Sequence, residues 1–378
     1  GESMDTIQQL ASQSGFAHLT LGHAVMYLVA GVLIYLAIAK GYEPLLLIPI
    51  GFGILIANFP LAELGSHDSG IINLVYRQGI LTDFLPPVIF LGVGVLTDFR
   101  PLLAQPLTFL LGAAAQFGVF VAGLGAVYLL GFTPQEGASI GIIGGADGPT
   151  SIYLSARLAP HLLGPIAVAA YSYMSLVPII QPPVIRLLTT RRERAIDMAQ
   201  PREVGRTAVI LFPVITGTLA SLAVPSSAAL MAMLMFGNLL RECGVTERLR
   251  KTAGSSLIDI VTMFLGLTVG ATMDAANFLT VKTILILLLG AVAFVFSTAG
   301  GVLLAKLLNL FLPAGGKLNP CIGAAGVSAV PMAAGVVQKH LSEETGGRVN
   351  PLMPAMGPNV AGVIGTAMVA GVFLTMLQ

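Results

Sequence analysis

Residues 138–155 read ASIGIIGGADGPTSIYLS, a stretch apolar enough for a membrane interior but interrupted by glycine, proline and one acid. A second stretch, residues 319–335, reads NPCIGAAGVSAVPMAAG and is interrupted in the same way. In hydrocarbon every backbone N–H and C=O needs a protein partner, so such sequence at membrane depth predicts a broken helix or a re-entrant hairpin buried in protein. We therefore predict interrupted segments at about 138–155 and 319–338, and we expect the chemistry there.

The composition of the whole chain decides its class. Of the 378 residues, 55% are hydrophobic and only 10% are charged, and the mean hydropathy is +0.88. A soluble domain needs about a quarter of its residues charged to wet its surface, so most of this surface does not face water. We predict an all-α polytopic membrane protein. The formal charge of +1 argues against a nucleic-acid partner, and Cys243 and Cys321 do not indicate a disulfide or a metal site.

Ten continuous apolar runs are long enough to form transmembrane helices of about 20 residues. They lie at about 20–40, 45–64, 83–98, 104–131, 161–188, 207–223, 226–241, 256–275, 280–311 and 352–377. Gly1-Glu2-Ser3 precedes Met4 like an expression scar, and residues 5–17 carry no basic residue, so we expect no signal peptide. The predicted organisation is a polar segment 1–19, helices 20–80, a first repeat 81–190, basic loops with a helix pair 191–254, and a second repeat 255–378.

Basic residues are concentrated in two loops, and this concentration predicts the orientation of the chain. The first loop holds Arg186, Arg191, Arg192, Arg194, Arg202 and Arg206, and the second holds Arg241, Arg248, Arg250 and Lys251. The positive-inside rule places both loops in the cytoplasm, with the runs 207–223 and 226–241 as an out-and-back pair between them. Docking of a soluble acidic partner is the alternative use of these charges.

Three short matches in the same order indicate an internal duplication, because their spacing is nearly constant at about 176 to 179 residues. The matched pairs are Leu91–Asp98 with Leu267–Asp274, Leu110–Ala113 with Leu288–Ala291, and Ile143–Ala146 with Ile322–Ala325. If the segment 138–155 enters and leaves on one side, the two halves are inverted, which is typical of alternating-access transporters. If it crosses fully, the halves are parallel and Arg100 lies outside, which the positive-inside rule disfavours.

Asp147 is the most unusual residue of the first interrupted segment. A carboxylate at membrane depth costs about 3 kcal/mol or more unless it is paired, hydrated or protonated, so it predicts a functional site. Pro149 breaks the helix and frees carbonyls, and Thr150 and Ser151 add hydroxyls. Together these groups are hard oxygen ligands suited to Na⁺. The alternative is an aspartate that only caps a helix.

The second interrupted segment offers neutral oxygen donors, from Asn319, Ser328 and the backbone around Gly323. One acid with neutral oxygens fits a monovalent cation better than Mg²⁺ or Ca²⁺. A third break, residues 356–362, contains Asn359. Either asparagine could instead hydrogen-bond helices together. We interpret the repeat-related acids Asp98 and Asp274 as caps at the membrane surface.

The run Tyr171-Ser172-Tyr173-Met174-Ser175 lies in a span that is later interrupted by Pro178, Pro182 and Pro183. A buried phenol could relay a proton or hydrogen-bond an anionic substrate, but a packed tyrosine with a satisfied hydroxyl is the alternative. No metal-ligand spacing of histidines, catalytic triad or phosphate loop is visible in the sequence.

Four segments carry a resemblance to a known family: GIIGGADGPTSIYLSA (141–156), AVAAYSYMSLVPIIQPP (167–183), GAAGVSAVPMAA (323–334) and AMGPNVAGVIG (355–365). They closely resemble the β subunit of the sodium-translocating biotin-dependent decarboxylases, which act on oxaloacetate, methylmalonyl-CoA, glutaconyl-CoA or malonate. The resemblance covers the chain from about residue 20 onward.

The resemblance implies a multi-pass subunit in the bacterial inner membrane that decarboxylates carboxybiotin and drives Na⁺ outward while a proton is consumed. The implied partners are a biotin carrier subunit, a carboxyltransferase α subunit and a small membrane γ/δ subunit, and we expect a homo-oligomer. Biotin is expected on the carrier, because this chain has no Ala-Met-Lys-Met motif. The implied site residues are Asp147 and Tyr173 for catalysis, Asp147, Asn319, Ser328 and Asn359 for Na⁺, and Thr150, Ser151 and Gly323 around the substrate.

One position departs from the family pattern. Oxaloacetate members carry an arginine where this sequence has Gly335, which weakens an anion-binding role there and favours a CoA-ester enzyme.

The rival function is a secondary carrier without catalysis, either a Na⁺/H⁺ antiporter or a sodium-coupled organic-anion transporter, because a repeat, broken helices and one buried acid would serve it equally well.

Overall fold

The computed structural model describes residues 11–62, 64 and 70–378. The described residues form helices and turns, with no β-strand among them. Their apolar helices are those of a multi-pass membrane protein, so the predicted all-α class is confirmed. Gly1–Ser3 and the first part of the polar segment 1–19 lie outside the described residues.

The α-helices are, in chain order, α1 (Leu21–Lys40), α2 (Pro44–Ala57), α3 (Gly70–Val75), α4 (Leu85–Leu96), α5 (Arg100–Ala104), α6 (Thr108–Ala114), α7 (Phe117–Leu130), α8 (Pro134–Gly141), α9 (Gly148–Leu158), α10 (Leu163–Leu188), α11 (Arg191–Arg194), α12 (Arg206–Ala223), α13 (Ala228–Glu242), α14 (Glu247–Thr252), α15 (Ile258–Ala271), α16 (Ala275–Phe278), α17 (Val281–Asn309), α18 (Met332–Thr345) and α19 (Leu352–Leu377). Turns of 3₁₀-helix lie at Gly15–His18, Ile142–Gly145, Pro160–Leu162, Pro225–Ser227, Ala314–Gly316 and Pro320–Gly326, and π-helical turns at Tyr76–Ile80 and Ala253–Leu257.

The number of membrane spans differs from the prediction. Seven helical segments of the described chain are long and apolar enough to cross, or eight if Gly70–Ile80 and Leu85–Leu96, bent by 67°, form one span. Every predicted apolar run contains a helix, but α2 has only 14 residues and α13 only 15. The count of about ten transmembrane helices is therefore not confirmed, because hydropathy does not show how short some of the helices are.

The order of elements after α3 recurs in the second part of the chain. The helix α4 ends before Asp98, the short α5 follows, and then come a long pair α6–α7, an interrupted segment and α10. In the same order, α15 ends before Asp274 and is followed by the short α16, the long α17, an interrupted segment and α19. The three sequence matches fall at equivalent points of these two series.

Helices that are distant in the sequence pack together at two close crossings. The helix α4 packs on α13, and α15 packs on α2. A Cβ atom on Gly94 of α4 would lie 1.9 Å from the carbonyl oxygen of Leu234, and one on Gly270 of α15 would lie 2.1 Å from that of Ile50. Any side chain at these two matched glycines would push the helices apart, so small residues permit this contact.

The first interrupted segment forms a hairpin, here called the first hairpin (residues 134–158). It runs inward as α8 and a 3₁₀ turn, breaks at Ala146 and Asp147, and returns as α9. At its mouth, Glu136 accepts a hydrogen bond of 2.8 Å from Lys282, at the start of α17. The same carboxylate lies 2.8 Å from the ring nitrogen of His161, just after α9. The segment therefore begins and ends beside the start of α17.

The second interrupted segment forms the second hairpin (residues 319–345), whose mouth lies beside the other end of α17. It runs as a 3₁₀ helix to Gly326 and returns as α18. The amide of Asn319 donates to the carbonyl of Arg194, and Glu344 at the end of α18 pairs with the same arginine at 2.8 Å. Because α17 has 29 residues, its two ends, and hence the two mouths, are roughly 40 Å apart.

Both arginine-rich loops lie at the end of the bundle that holds the second mouth. A Cβ atom on Gly244, after α13, would be 3.4 Å from the guanidinium of Arg206, where α12 begins. Arg100, after α4, pairs with Glu242 at the end of α13. We call this end, which carries Arg194, Arg206 and Arg241, the basic end. Its assignment to the cytoplasm stays a prediction of the positive-inside rule.

Candidate functional site at the hairpin tips

The tips of the two hairpins meet and are joined by hydrogen bonds. The backbone N–H of Ser328 donates to the carbonyl of Gly145 at 2.8 Å, and its hydroxyl donates to Oδ2 of Asp147 at 2.9 Å. One tip supplies the carboxylate and the other supplies the hydroxyl. The interrupted segments singled out in the sequence thus form a single site.

Local backbone geometry directs the Asp147 side chain into this site. The 3₁₀ turn of the first hairpin ends at Ala146 in the left-handed region, and Asp147 is extended. Its Oδ1 accepts a hydrogen bond of 3.0 Å from the backbone N–H of Thr150, which caps α9. The capping alternative is therefore correct for one oxygen, while the other oxygen faces Ser328.

The Asp147 carboxylate is buried without a cationic partner. Its residue is 6% exposed, and none of the ion pairs among the described residues includes it. Two hydrogen bonds compensate a buried charge only in part, because a carboxylate can accept about four. The carboxylate thus keeps oxygen lone pairs that could coordinate a small cation.

Neutral oxygens surround the carboxylate. Asn359 of α19 donates through its amide to the carbonyls of Val327 and Ala329, at 2.7 and 3.3 Å, and so fixes the residues on both sides of Ser328. Its own Oδ1 is buried and accepts no hydrogen bond within the described part of the chain. Such oxygens are expected ligands of Na⁺. The donor set therefore fits a monovalent cation.

A cavity of about 270 Å³ connects the tips with the basic end. Asp147 and Ser328 line it at one side, Thr97 and Asp98 line it at the end of α4, and most of its remaining wall is apolar, including Met174 of α10. Of the two repeat-related acids only Asp98 lines this cavity. The cavity thus extends from the carboxylate to the end of α4.

The structure does not bring Tyr173 to Asp147. Its hydroxyl donates to the carbonyl of Leu287 in α17, and its ring lies beside Gly290 and Ile143. The alternative of a packed tyrosine with a satisfied hydroxyl describes this geometry. The catalytic role implied for Tyr173 stays a prediction.

The structure also shows contacts of Asn319, Gly323 and Ser151 that differ from their predicted roles at the site. Both polar atoms of the Asn319 side chain are hydrogen-bonded at the mouth of the second hairpin, its amide to the Arg194 and Ile196 carbonyls and its oxygen to the Cys321 N–H. A Cβ atom on Gly323 would lie 2.1 Å from the carbonyl of Gly301, so this glycine permits a close crossing with α17. The Ser151 hydroxyl donates to the backbone carbonyl of Asp147 at 2.8 Å.

Sequence reasoning missed two residues near the tips. Gln181 of α10 donates to the carbonyl of Ala324 in the second hairpin at 2.6 Å. An amide inside an apolar, proline-rich span was the available signal for it. Tyr171 packs its ring against Gly148, directly after Asp147. The spacing of the motif YSYMS did not distinguish Tyr171 from Tyr173.

Comparison with known proteins is decisive for the family. The model of the Na⁺-transporting oxaloacetate decarboxylase beta subunit matches residues 22–377. The chain belongs to this family. The methylmalonyl-CoA decarboxylase subunit beta of Veillonella parvula is 57% identical and the match covers 98% of each chain. The glutaconyl-CoA decarboxylase subunit beta of Acidaminococcus fermentans is 55% identical, over 98% of this chain and 97% of the relative. The oxaloacetate decarboxylase beta chain 2 of Salmonella typhi is 49% identical, over 98% and 99% respectively.

This β subunit is therefore the membrane subunit of a sodium pump whose relatives belong to decarboxylases. The resemblance of the four segments is confirmed across almost the whole chain. The secondary carrier without catalysis is disfavoured, because these relatives are named as decarboxylase subunits.

Proposed function

We propose that this chain releases CO₂ from carboxybiotin carried on a partner subunit and couples that reaction to the export of Na⁺ bound at Asp147. The observation that carries the proposal is the buried carboxylate, which lies where two hairpin tips meet and has no cationic partner among the described residues. A cation pump needs a charged site that closes around one ion. The residues that surround Asp147 are suited to that task.

The proposed Na⁺ ligands are Asp147, Ser328 and Asn359, with Thr150 at the edge of the site. Asp147 supplies the charge, and the oxygens of Ser328 and Asn359 supply neutral donors from elements of the other half. We propose that Asn319 acts from a distance, by holding the second hairpin in place. The ion bridges the hairpins, so its binding favours the arrangement in which the tips are together.

The cavity at the basic end is the proposed path of the substrate. Decarboxylation breaks the bond between the ureido nitrogen and the carboxylate carbon, leaves the electron pair on nitrogen, and releases CO₂. The nitrogen then takes up one proton, which accounts for the proton consumed. Apolar walls around Met174 exclude water and favour conversion of a charged carboxylate into neutral CO₂. For Tyr173 to deliver that proton, its hydroxyl must leave the Leu287 carbonyl.

We propose that the two halves are inverted repeats, with 81–190 and 255–378 as their centres. The support is geometric, because the hairpin mouths lie at opposite ends of α17 while the tips meet between them. Each half is extended by one further helix pair, which lies in 20–80 for the first half and in 191–254 for the second. A helix of each pair packs against the opposite half. Such a pair of hairpins can expose one site alternately to the two sides of a membrane.

The proposed setting is the bacterial inner membrane, with the basic end in the cytoplasm. The proposed partners are the biotin carrier, the carboxyltransferase α subunit and a small γ/δ membrane subunit, in a complex that contains several copies of this chain. A CoA-ester substrate is favoured over oxaloacetate, because the methylmalonyl-CoA and glutaconyl-CoA relatives are 57% and 55% identical and the oxaloacetate relative 49%. Gly335 points the same way.

The test is Asp147→Asn in the whole decarboxylase complex in proteoliposomes. We expect loss of both Na⁺-stimulated decarboxylation and ²²Na⁺ uptake, because the charge of the site is removed while its shape is kept. Asp274→Asn is the matched control, since the repeat-related Asp274 caps α16 and does not line this cavity, and it should keep coupled transport. Coupled transport by Asp147→Asn would refute the site. Na⁺ transport without any carboxybiotin cleavage by the unmodified complex would favour the secondary carrier.

A further inference from the structure

Tyr171 is a fully buried phenol whose hydroxyl has no partner among the described residues. The residue is 1% exposed, and its hydroxyl makes no hydrogen bond within that part of the chain. A buried hydroxyl without a partner is destabilising by an amount comparable to a lost hydrogen bond, so native structures rarely keep one without a use. The hydroxyl is therefore available to a ligand of the site.

The ring of Tyr171 lies directly against the start of α9. A Cβ atom on Gly148 would be 2.0 Å from Cε1 and 2.2 Å from Cζ of the ring. Gly148 follows Asp147, so the phenol end of the ring lies beside the residue that carries the charge.

The backbone around Tyr171 holds the ring in this position. Its carbonyl accepts a hydrogen bond of 3.1 Å from the Ser175 hydroxyl, and its side chain belongs to an apolar cluster with Ile152 of α9 and Ala167 of α10. The hydroxyl is consequently presented at a fixed place. By contrast, the hydroxyl of Tyr173 is already bound to Leu287.

We propose that the Tyr171 hydroxyl is a further binding group of the Asp147 site. The hydroxyl holds the Na⁺ ion, or a water molecule bound to the ion, on the side opposite Ser328. The inference rests on the proposed function, because it assumes that Asp147 binds Na⁺. Tyr171 contributes a neutral oxygen lone pair while the ion is present. Tyr171 is thus a binding residue, and the bond-breaking step is left to other groups.

The experiment is a Na⁺ titration of decarboxylation by the complete complex with Tyr171→Phe, which keeps the ring contacts and removes one oxygen. We expect the Na⁺ concentration for half-maximal rate to rise roughly fivefold to tenfold, as for loss of one buried polar contact. The rate at saturating Na⁺ should stay within about twofold, because ground-state binding is what changes. Tyr153→Phe is the matched control. It removes a different buried phenol, which lies in the first hairpin and donates to the Ser226 carbonyl.

Thermal unfolding separates binding from a merely structural role. Na⁺ should raise the melting temperature of the unmodified complex more than that of Tyr171→Phe, since ligand stabilisation follows affinity. An unchanged Na⁺ requirement, an equal shift by Na⁺ in both complexes, or failure of Tyr171→Phe to assemble would overturn the proposal. Asp147→Asn is measured in parallel. If Asp147→Asn keeps its Na⁺ dependence, the proposed function fails. If Asp147→Asn loses it while Tyr171→Phe behaves like the unmodified complex, only the role of Tyr171 fails.

Discussion

The two hairpins share one shape and divide the chemistry unequally. The first carries a charge at its tip, Asp147, and closes its mouth with the ionic contacts of Glu136. The second has no charge at its tip and brings a hydroxyl and backbone groups around Ser328. Its mouth is held by the amide of Asn319 and by the pair of Arg194 with Glu344.

This difference separates two requirements of an ion site. A charge binds the ion, whereas neutral donors from a second element determine whether the site is open or closed. With the charge on one hairpin only, separation of the tips leaves Asp147 with fewer oxygens and weakens the binding of Na⁺. The two hairpins should therefore respond differently to equivalent substitutions.

The largest expected effect comes from adding a methyl group to a glycine that follows the break in one hairpin or the other. Gly148→Ala places a Cβ atom 2.0 Å from the buried ring of Tyr171, which has no room to retreat, whereas a Cβ atom on Gly335 meets no described atom within 4 Å. We expect Gly148→Ala to reduce Na⁺-dependent decarboxylation more than about tenfold, since overpacking at a buried contact costs about 1–3 kcal/mol or more. Gly335→Ala should stay within about twofold of the unmodified rate under the same assay.

Both variants are first compared by size-exclusion chromatography of the assembled complex. A Gly148→Ala complex with full activity would show that the ring of Tyr171 is free to move. A large loss in Gly335→Ala would show that the first turn of α18 has a closer partner than the structure contains.

A smaller effect is expected from hydroxyls on the two sides of the carboxylate. Ser328→Ala removes the hydrogen bond from the second hairpin to Oδ2 of Asp147, whereas Ser151→Ala removes one to its backbone carbonyl. Because one hydrogen bond contributes about 0.5–1.5 kcal/mol net, we expect the half-saturating Na⁺ concentration to rise about threefold to tenfold in Ser328→Ala. In Ser151→Ala it should change less than about threefold. Equal shifts in the two variants would mean that the second hairpin does not contribute to the ion site.

The sequence was informative wherever a single residue breaks a strong rule. An acid in an apolar stretch singled out Asp147 as the candidate site, and glycine with proline located both breaks, because a membrane interior tolerates such residues only where protein surrounds them. Ser328 and Asn359 were likewise predicted at the site and do lie at the tips. The family followed from longer motifs, as the match over residues 22–377 confirms.

What the sequence left open depends on three-dimensional direction and on helix length. Tyr171 and Tyr173 are two residues apart on one helix, about 200° around its axis, so only packing decides which of them faces Asp147. Asn319 and Asn359 look alike as asparagines in broken segments, yet one lies at a mouth and the other at a tip. Short helices such as α2 leave the predicted number of spans unconfirmed.

The smallest effect on ion binding is expected from Asn319, and it decides between two roles for that residue. Asn319→Ala leaves the carbonyls of Arg194 and Ile196 without their donor, so the complex should lose roughly 2–3 kcal/mol of stability, measured as a lower melting temperature. Its half-saturating Na⁺ concentration should stay within about twofold, since every polar atom of the side chain is engaged at the mouth of the second hairpin. Asn309→Ala is the control, because it removes two similar bonds to Leu318 at the same end of the bundle. If Asn319 binds Na⁺ directly, as the family resemblance implies, its variant must instead raise the Na⁺ requirement while Asn309→Ala does not. In that case the first hairpin would not be the only one that binds the ion. Asn319 would have to move from the mouth of the second hairpin to its tip as the ion enters.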